Sequence, residues 1–348
     1  MLLLGYQFSL NSRIESLLVQ IKEQERKLGA LSISAEFFQK IFRHNYLQQA
    51  YSSTKIEYSL INYNTAQKVL FHKKAKNEQE GEVLNAANAH LAVLSHLKEP
   101  ISNDLIIEVH RQISENLKGS WTEPDYRAGR YRTIQNYLGD PFSDHISFTF
   151  PGPREVPSLM RELNQFANGR TKINPLLIPG IFHFVFIAIH PFVNGNGRTI
   201  RVLEDFFLKK AGYNLQTLYN LSQYYYANLK NYHFYLNRGR EQRDLTDFIE
   251  FYLQGILECQ QNVFKTELLL ERMERLHDLP SWGKMDKLDR KMLTYLAGNN
   301  ELSIKKALKL CSKKLSAEAL RLRFQNYIQW GFMKKLGTFK DANYIWES

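Results

Sequence analysis

The densest concentration of residues able to do chemistry is the run from His190 to Arg201, which reads His-Pro-Phe-Val-Asn-Gly-Asn-Gly-Arg-Thr-Ile-Arg. An imidazole with an ordinary pKa near neutrality can take the proton from a hydroxyl as that oxygen attacks phosphorus, which makes His190 the natural general base. The backbone N–H groups of Gly195, Asn196 and Gly197 fall at the start of a new helical pattern. Amides there lack intrahelical partners and the helix dipole is positive, so they form an anion nest suited to phosphates. Arg198 and Arg201 stand three apart, on one helix face, and both can reach the same polyphosphate. Cations at a helix start oppose its dipole unless an anion is expected. The segment therefore predicts a nucleoside triphosphate site.

Such a loop needs rigid elements on both sides. Upstream, the apolar stretch from Leu176 to Ile189 carries Pro179, Gly180 and His183 and falls short of the roughly 20 residues that a bilayer span needs, so it reads as a buried core helix ending at the base. His183 within it is read as a packing or hydrogen-bonding residue. Downstream, helical periodicity restarts over Arg198 to Ala211. Apolar residues at three and four spacing predict earlier helices over Ser12 to Leu28, Ser34 to Tyr51, Glu82 to Leu97 and Ser102 to Leu117, and more follow from Gln216 to His277. Between Gly129 and Pro157 aromatic and β-branched residues, bounded by Gly139, Pro141 and the Pro151-Gly152-Pro153 cluster, signal a short strand pair or extended flap.

The 348 residues are 44% hydrophobic and can bury one large core or two unequal ones. The segment Asp278 to Gly283 has the Pro and Gly punctuation of a connector, beyond which a second domain is expected. Its pattern is helix (Lys287 to Ala297), short helix (Ser303 to Leu310), a helix opening at Ser316, then strands at Phe332 to Lys335 and Tyr344 to Trp346 around a Gly-containing turn. This is a winged helix-turn-helix layout. Residues 280–348 hold 14 Lys or Arg against 6 Asp or Glu, most of the chain's excess of +11. Arg321, Arg323 and Gln325 keep nucleic acid open as a partner of that domain, although a winged helix serves protein contacts as readily. The two cysteines, Cys259 and Cys311, are far apart and suggest neither a disulfide framework nor a zinc site, so a reducing, cytoplasmic setting is expected. The run Met1 to Leu4 lacks the flanks of a signal peptide, and no membrane span is expected.

The motif resembles the signature of the Fic family, in which histidine, proline, phenylalanine, a Gly-Asn-Gly turn and two arginines are diagnostic. Gly129-Arg130-Tyr131-Arg132-Thr133, Asn136 to Gly139 and Phe150-Pro151-Gly152-Pro153 are similar to the family's flap, and the likeness covers roughly residues 10–260. It implies His190 as base, Asn196 with the Gly195 and Gly197 amides on the α- and β-phosphates, Arg198 on the phosphates, Arg201 toward the γ-phosphate and Phe192 as anchor of the loop. It implies that the flap, Thr133, Ile134, Gln135, Asn136 and Tyr137, pairs by backbone hydrogen bonds with an extended target segment. Ser53-Thr54-Lys55-Ile56-Glu57 resembles the family's inhibitory motif, in which Glu57 would pair with Arg201 and take the place of the γ-phosphate. Two departures stand out. Asn194 replaces the usual acid that helps to hold Mg²⁺, so metal affinity should be reduced. Tyr58 stands where Gly or Asn usually follows the glutamate.

These readings converge on a mainly α protein. Residues 1–100 form an N-terminal helical region with an inhibitory helix at about 44–62, residues 101–277 a Fic core with a short hairpin flap and following helices, and residues 284–348 a winged helix-turn-helix domain. The resemblance implies a protein adenylyltransferase that uses ATP with Mg²⁺ or Mn²⁺ and moves AMP to a Ser, Thr or Tyr hydroxyl of a target protein. Hydrolytic removal of AMP, transfer of another phosphate-containing group, and a DNA-binding regulator with a nucleotide-sensing core stay open beside it, as does a homodimer.

Overall fold

The structure, a computed structural model, describes residues 3–31, 35–118, 127–139, 146–169, 172–214, 216–278, 282–312, 314–336 and 343–347. Ser34, Pro141, residues 279–281 of the expected connector and the Gly337 turn lie outside the described residues. The chain divides into two compact units, Met1–Gln260 and Gln261–Ser348.

The first unit is helical around one apolar helix. Its elements are α1 (Ser12–Gly29), α2 (Ala35–Ile56), α3 (Tyr63–His72), α4 (Glu78–Val93), α5 (Asn103–Ile113), β1 (Tyr137–Gly139), β2 (Ile146–Thr149), α6 (Val156–Asn168), α7 (Leu177–Ile189), α8 (Asn196–Lys210), α9 (Leu221–Ala227), α10 (Leu229–Gln242) and α11 (Thr246–His277), within which the division falls. α7 is buried on every side, as its predominantly apolar sequence requires. Gly180 lets Tyr252 lie directly on the α7 backbone, where a Cβ would overlap its ring. α8 packs along α7, with α2, α4 and α5 on its other faces and α6 on the far side of α7. Side-chain caps fix where these helices begin: Asn11, Asn62, Asn77 and Ser102 each accept a hydrogen bond from an amide in the first turn. β1 and β2 form the antiparallel flap, with Tyr137 opposite Thr149 and Leu138 opposite Phe148.

The second unit comprises the end of α11, α12 (Lys287–Asn299), β3 (Glu301–Ser303), α13 (Ile304–Leu310), α14 (Ala317–Gln329), β4 (Met333–Leu336) and β5 (Asn343–Trp346). Its strands form an antiparallel sheet in the order β3-β5-β4. Leu276, Met292, Leu293, Leu296, Phe324 and Trp346 belong to its core. Asp286 opens α12 with a capping box closed by Asp289. Arg323, considered above as a nucleic-acid contact, is bound instead to Asp286 at 2.8 Å and Asp289 at 2.6 Å.

Candidate functional site

The base candidate sits at a forced turn. His190 caps α7 in the left-handed region (φ 53°), its amide still bonded to the Phe186 carbonyl. This conformation ends the helix and turns the imidazole onto the Phe150 ring, stacked with centroids 4.3 Å apart. Burial, then the Arg240 guanidinium and more weakly that of Arg132, push its pKa down to about 4, against the Ile187 carbonyl and the Glu57 carboxylate, which raise it. The imidazole is therefore neutral at pH 7, the form a base needs.

The loop after it is braced from within. The Asn196 side chain accepts from the Phe192 amide and donates to the Phe192 carbonyl, both at 2.9 Å, closing Phe192 to Asn196 into a tight ring. Asn196 thus brings its amide to the nest while its side chain holds the loop, a refinement of the role that the resemblance implied. Gly195 opens α8 at φ 75°, a left-handed conformation suited to glycine. Phe192 is fully buried, as an anchor should be.

Two residues that the sequence reading passed over hold this loop from outside. The His110 ring stacks face to face on Phe192 at 3.6 Å. Its Nδ1 accepts from the Gly129 amide, so the proton is on Nε2, which donates to the Asn194 carbonyl at 2.9 Å. Arg132, quoted above only as part of the flap's approach, is 1% exposed and donates to the backbone carbonyls of His190, Ile134, Pro151 and Ile189. One guanidinium therefore ties the flap to the base. Asn136 adds a bond from its side-chain amide to the Phe192 carbonyl at 3.1 Å. Of the flap residues named from the sequence, Thr133, Ile134 and Tyr137 are exposed and Gln135 and Asn136 partly so. Tyr137 pairs with β2, and the Gln135 side chain donates to the Phe150 carbonyl.

Arg198 and Arg201 project from the first two turns of α8, and both are almost fully buried. Arg201 donates from Nε to Ser53 Oγ at 2.9 Å and from Nη2 to the Ser53 carbonyl at 2.8 Å and Glu57 Oε1 at 2.6 Å. Against burial, which raises it, the charges of Arg201 and Arg198 and the hydrogen bond from Arg201 hold the Glu57 carboxyl below its ordinary value. Glu57 Oε1 lies over Gly197, in the space a Cβ there would fill. The structure thus brings Ser53, Glu57, Gly197 and Arg201 together. Glu57 stands one residue beyond α2, which begins earlier and ends sooner than the expected inhibitory helix: Tyr58 takes φ 61° and the Ser59 amide turns back to the Thr54 carbonyl, a left-handed helix stop. This explains why glycine or asparagine suits position 58. Arg198 holds a second carboxylate, Glu82 of α4, at 2.7 Å, a pairing the sequence did not announce.

The residues present do not fit a divalent cation held by the protein. The Asn194 side-chain oxygen accepts from the Gly195 amide at 2.5 Å, and Glu57 and Glu82 are bound to arginines. Among the described residues no group of three or more His, Cys, Asp or Glu is placed to hold a metal.

A histidine at the left-handed end of one helix, a glycine-flanked start to the next and two buried arginines on that helix are what the structure brings together. Residues 100–208 match the profile of the Fic/DOC family. The chain is 26% identical over 246 residues to a protein adenylyltransferase Fic of Nematostella vectensis, covering 68% of this chain and 53% of that protein. It is 26% identical over 207 residues to one of Drosophila grimshawi, covering 57% and 40%. The chain thus spans about half the length, or less, of the curated relatives it matches. A Fic family protein from Desulfovibrio desulfuricans G20 shares the fold over 99% of both chains, with a TM-score of 0.61 and 17% identity. Fic-1 from C. elegans does so over 73% of this chain and 72% of that one, with a TM-score of 0.55 and 19% identity. Residues 100–208 thus carry the likeness to the Fic/DOC family, and the fold around them is that of the Fic proteins compared. No helix among the described residues is long and apolar enough to cross a membrane.

Proposed function

We propose that this chain transfers AMP from ATP to a Ser, Thr or Tyr hydroxyl of a target protein and is held inactive by Glu57. The observation that carries the reading is the Glu57 carboxylate itself: an anion on Arg201 and over Gly197, where the nest and the arginine would otherwise receive a phosphate. The relatives named protein adenylyltransferase support the choice of reaction.

In this reaction the acceptor oxygen attacks the α-phosphorus as the bond to the bridging oxygen of the β-phosphate breaks, and pyrophosphate leaves. His190, neutral and stacked on Phe150, takes the hydroxyl proton. The amides of Asn196 and Gly197, that of Gly195 once it leaves the Asn194 side chain, and the two arginines stabilise charge on the phosphates, which is the largest contribution that a preorganised site makes. The exposed flap offers the edge along which the target strand lies. We read the second unit as a winged helix-turn-helix domain; the commitment of Arg323 to two carboxylates lends no support to DNA reading by that arginine.

The test is transfer of label from α-labelled ATP, supplied with Mg²⁺ or Mn²⁺, by wild type, Glu57→Gly, and Glu57→Gly with His190→Ala. Label on protein should rise in the single variant and vanish in the double. AMP released as free product, with no label on protein, would replace transfer by hydrolysis. Nucleotide binding without any turnover would leave a sensor.

A further inference from the structure

A small internal cavity lies beside Arg201, where α2, α8 and the start of α9 meet. Its volume is about 10 Å³, the room of one water molecule. Gln49 of α2, Asp205 of α8 and Asn220, the cap of α9, line it, and each is more than nine-tenths buried. Each also carries one buried polar atom without a hydrogen-bond partner among the described residues: Gln49 Oε1, Asp205 Oδ2 and Asn220 Nδ2.

Which end of each side chain is free follows from what the other end does. The Gln49 amide nitrogen donates to the Arg201 carbonyl at 3.4 Å, so its oxygen is left over. Asn220 Oδ1 accepts from the Gln223 amide at 3.0 Å, as a cap must, which leaves its NH₂ group. Asp205 Oδ1 accepts from the Asn214 side chain at 3.1 Å. Its Oδ2 lies 3.2 Å from His90 Nε2 and 3.5 Å from Lys209 Nζ without a hydrogen bond to either, and its lone pairs can take a further donor. Arg201 and Glu204 also line the cavity and carry opposite charges.

Two acceptors and one donor therefore border a space of one water, and burying them unpaired is costly. A cation there would meet the Asn220 N–H group, and an anion would meet the Asp205 carboxylate. A water has two hydrogens for the acceptors and a lone pair for the donor.

We propose that the cavity is a binding site for one structural water, which donates to Gln49 and Asp205, accepts from Asn220, and so joins α2, α8 and α9. Three hydrogen bonds are what a buried water typically makes. α2 also carries Ser53, whose two oxygens hold Arg201, so the water braces that contact. The site follows from packing alone and stands whatever the loop does with a nucleotide.

The experiment is a crystal structure of the full chain at a resolution that shows ordered water, with thermal melts of Asn220→Asp. One peak should lie about 2.7–3.2 Å from all three atoms. Asn220→Asp keeps a capping oxygen but turns the donor into a third acceptor, more than one water can serve, so Tm should fall by roughly 3–6 °C. No peak, a direct bond between any two of the three side chains, or a peak at metal-ion distances with the Asn220 oxygen turned toward it would each overturn the proposal. So would an Asn220→Asp protein that melts no lower, or one whose Tm rises on adding Na⁺ or K⁺. Should the variant fail to fold, the wild-type density decides by itself.

Discussion

Replacing Glu57 by alanine removes an anion from a site built to hold one, and the structure sets the size and sign of two opposite effects. Without nucleotide, Arg201 stays 2% exposed with the Ser53 oxygens as partners but loses a 2.6 Å charge-assisted bond. Loss of a partner to a fully buried charge costs about 3–5 kcal/mol, and a hydrogen bond to a charged group contributes about 1.5–3 kcal/mol. The Glu57 side chain is 33% exposed, so the lower range applies, and about 2 kcal/mol of destabilisation is expected. For a unit of this size that is a fall of roughly 4–8 °C in Tm. With saturating ATP the loss is cancelled, because a phosphate no longer has to displace the carboxylate. The same 2 kcal/mol then appears as an affinity gain of about thirtyfold. Thermal melts with and without ATP, with calorimetric Kd values for both proteins, measure the two effects together. A variant that melts lower and binds ATP no more tightly would show that Glu57 is only a structural partner of Arg201, and the competition argument would fail.

Three further outcomes follow from neighbouring contacts. Glu82→Gln keeps the shape at Arg198 but removes the opposing charge, so ATP affinity should rise several-fold, with coupling to Glu57→Ala because both carboxylates act on Arg198; no change in Kd would make Glu82 a fixed support. His110, its pKa pushed down to about 4 mainly by burial, stays neutral in the fold while the unfolded chain takes up a proton below the usual 6.5. Stability should therefore be full above pH 6.5 and fall by about 3 kcal/mol in total as pH drops toward 4, a slope that melts of His110→Phe should lack in part. Tyr58 is 73% exposed in a left-handed conformation, so Tyr58→Asn should raise stability by about 0.5–1 kcal/mol in denaturant titration, and destabilisation would mean that the ring contact with His233 outweighs the backbone gain.

Some of this architecture was legible because the physics is local. The apolar run of α7 can only be a buried helix, and Ser102, Ser303 and Ser316 announce helix starts because their hydroxyls cap the first turn. The loop and helix start at Gly195 to Gly197 were legible for the same reason, since glycine supplies the left-handed turn that opens the helix. What escaped depends on partners far away in the chain. β3 is three residues long and exists because β5 pairs with it, so no periodicity marks it. His110 and Glu82 lie on amphipathic helices in which nothing nearby distinguishes a side chain that meets Phe192 or Arg198. The end of α2 at Ile56 falls between the two expected ends, Tyr51 from the periodicity and about 62 for the inhibitory helix, because the polar run Ser52, Ser53 and Thr54 carries no apolar period. They are buried, Thr54 bonding back to the carbonyls of Ala50 and Tyr51 and Ser53 receiving Arg201.

The largest fully buried side chains include three arginines, Arg132, Arg198 and Arg201, and their partners differ in kind. A buried cation persists only where acceptors replace water. Arg132 has backbone carbonyls from the flap and the end of α7, which cannot leave without unfolding both. Arg198 has the Glu82 carboxylate of α4, and Arg201 has the Glu57 carboxylate of the turn after α2 together with both oxygens of Ser53. The first arginine is therefore fixed as part of the frame. On the proposed function a phosphate would replace the carboxylates on the other two, and the same exchange would let the site be closed by its own chain.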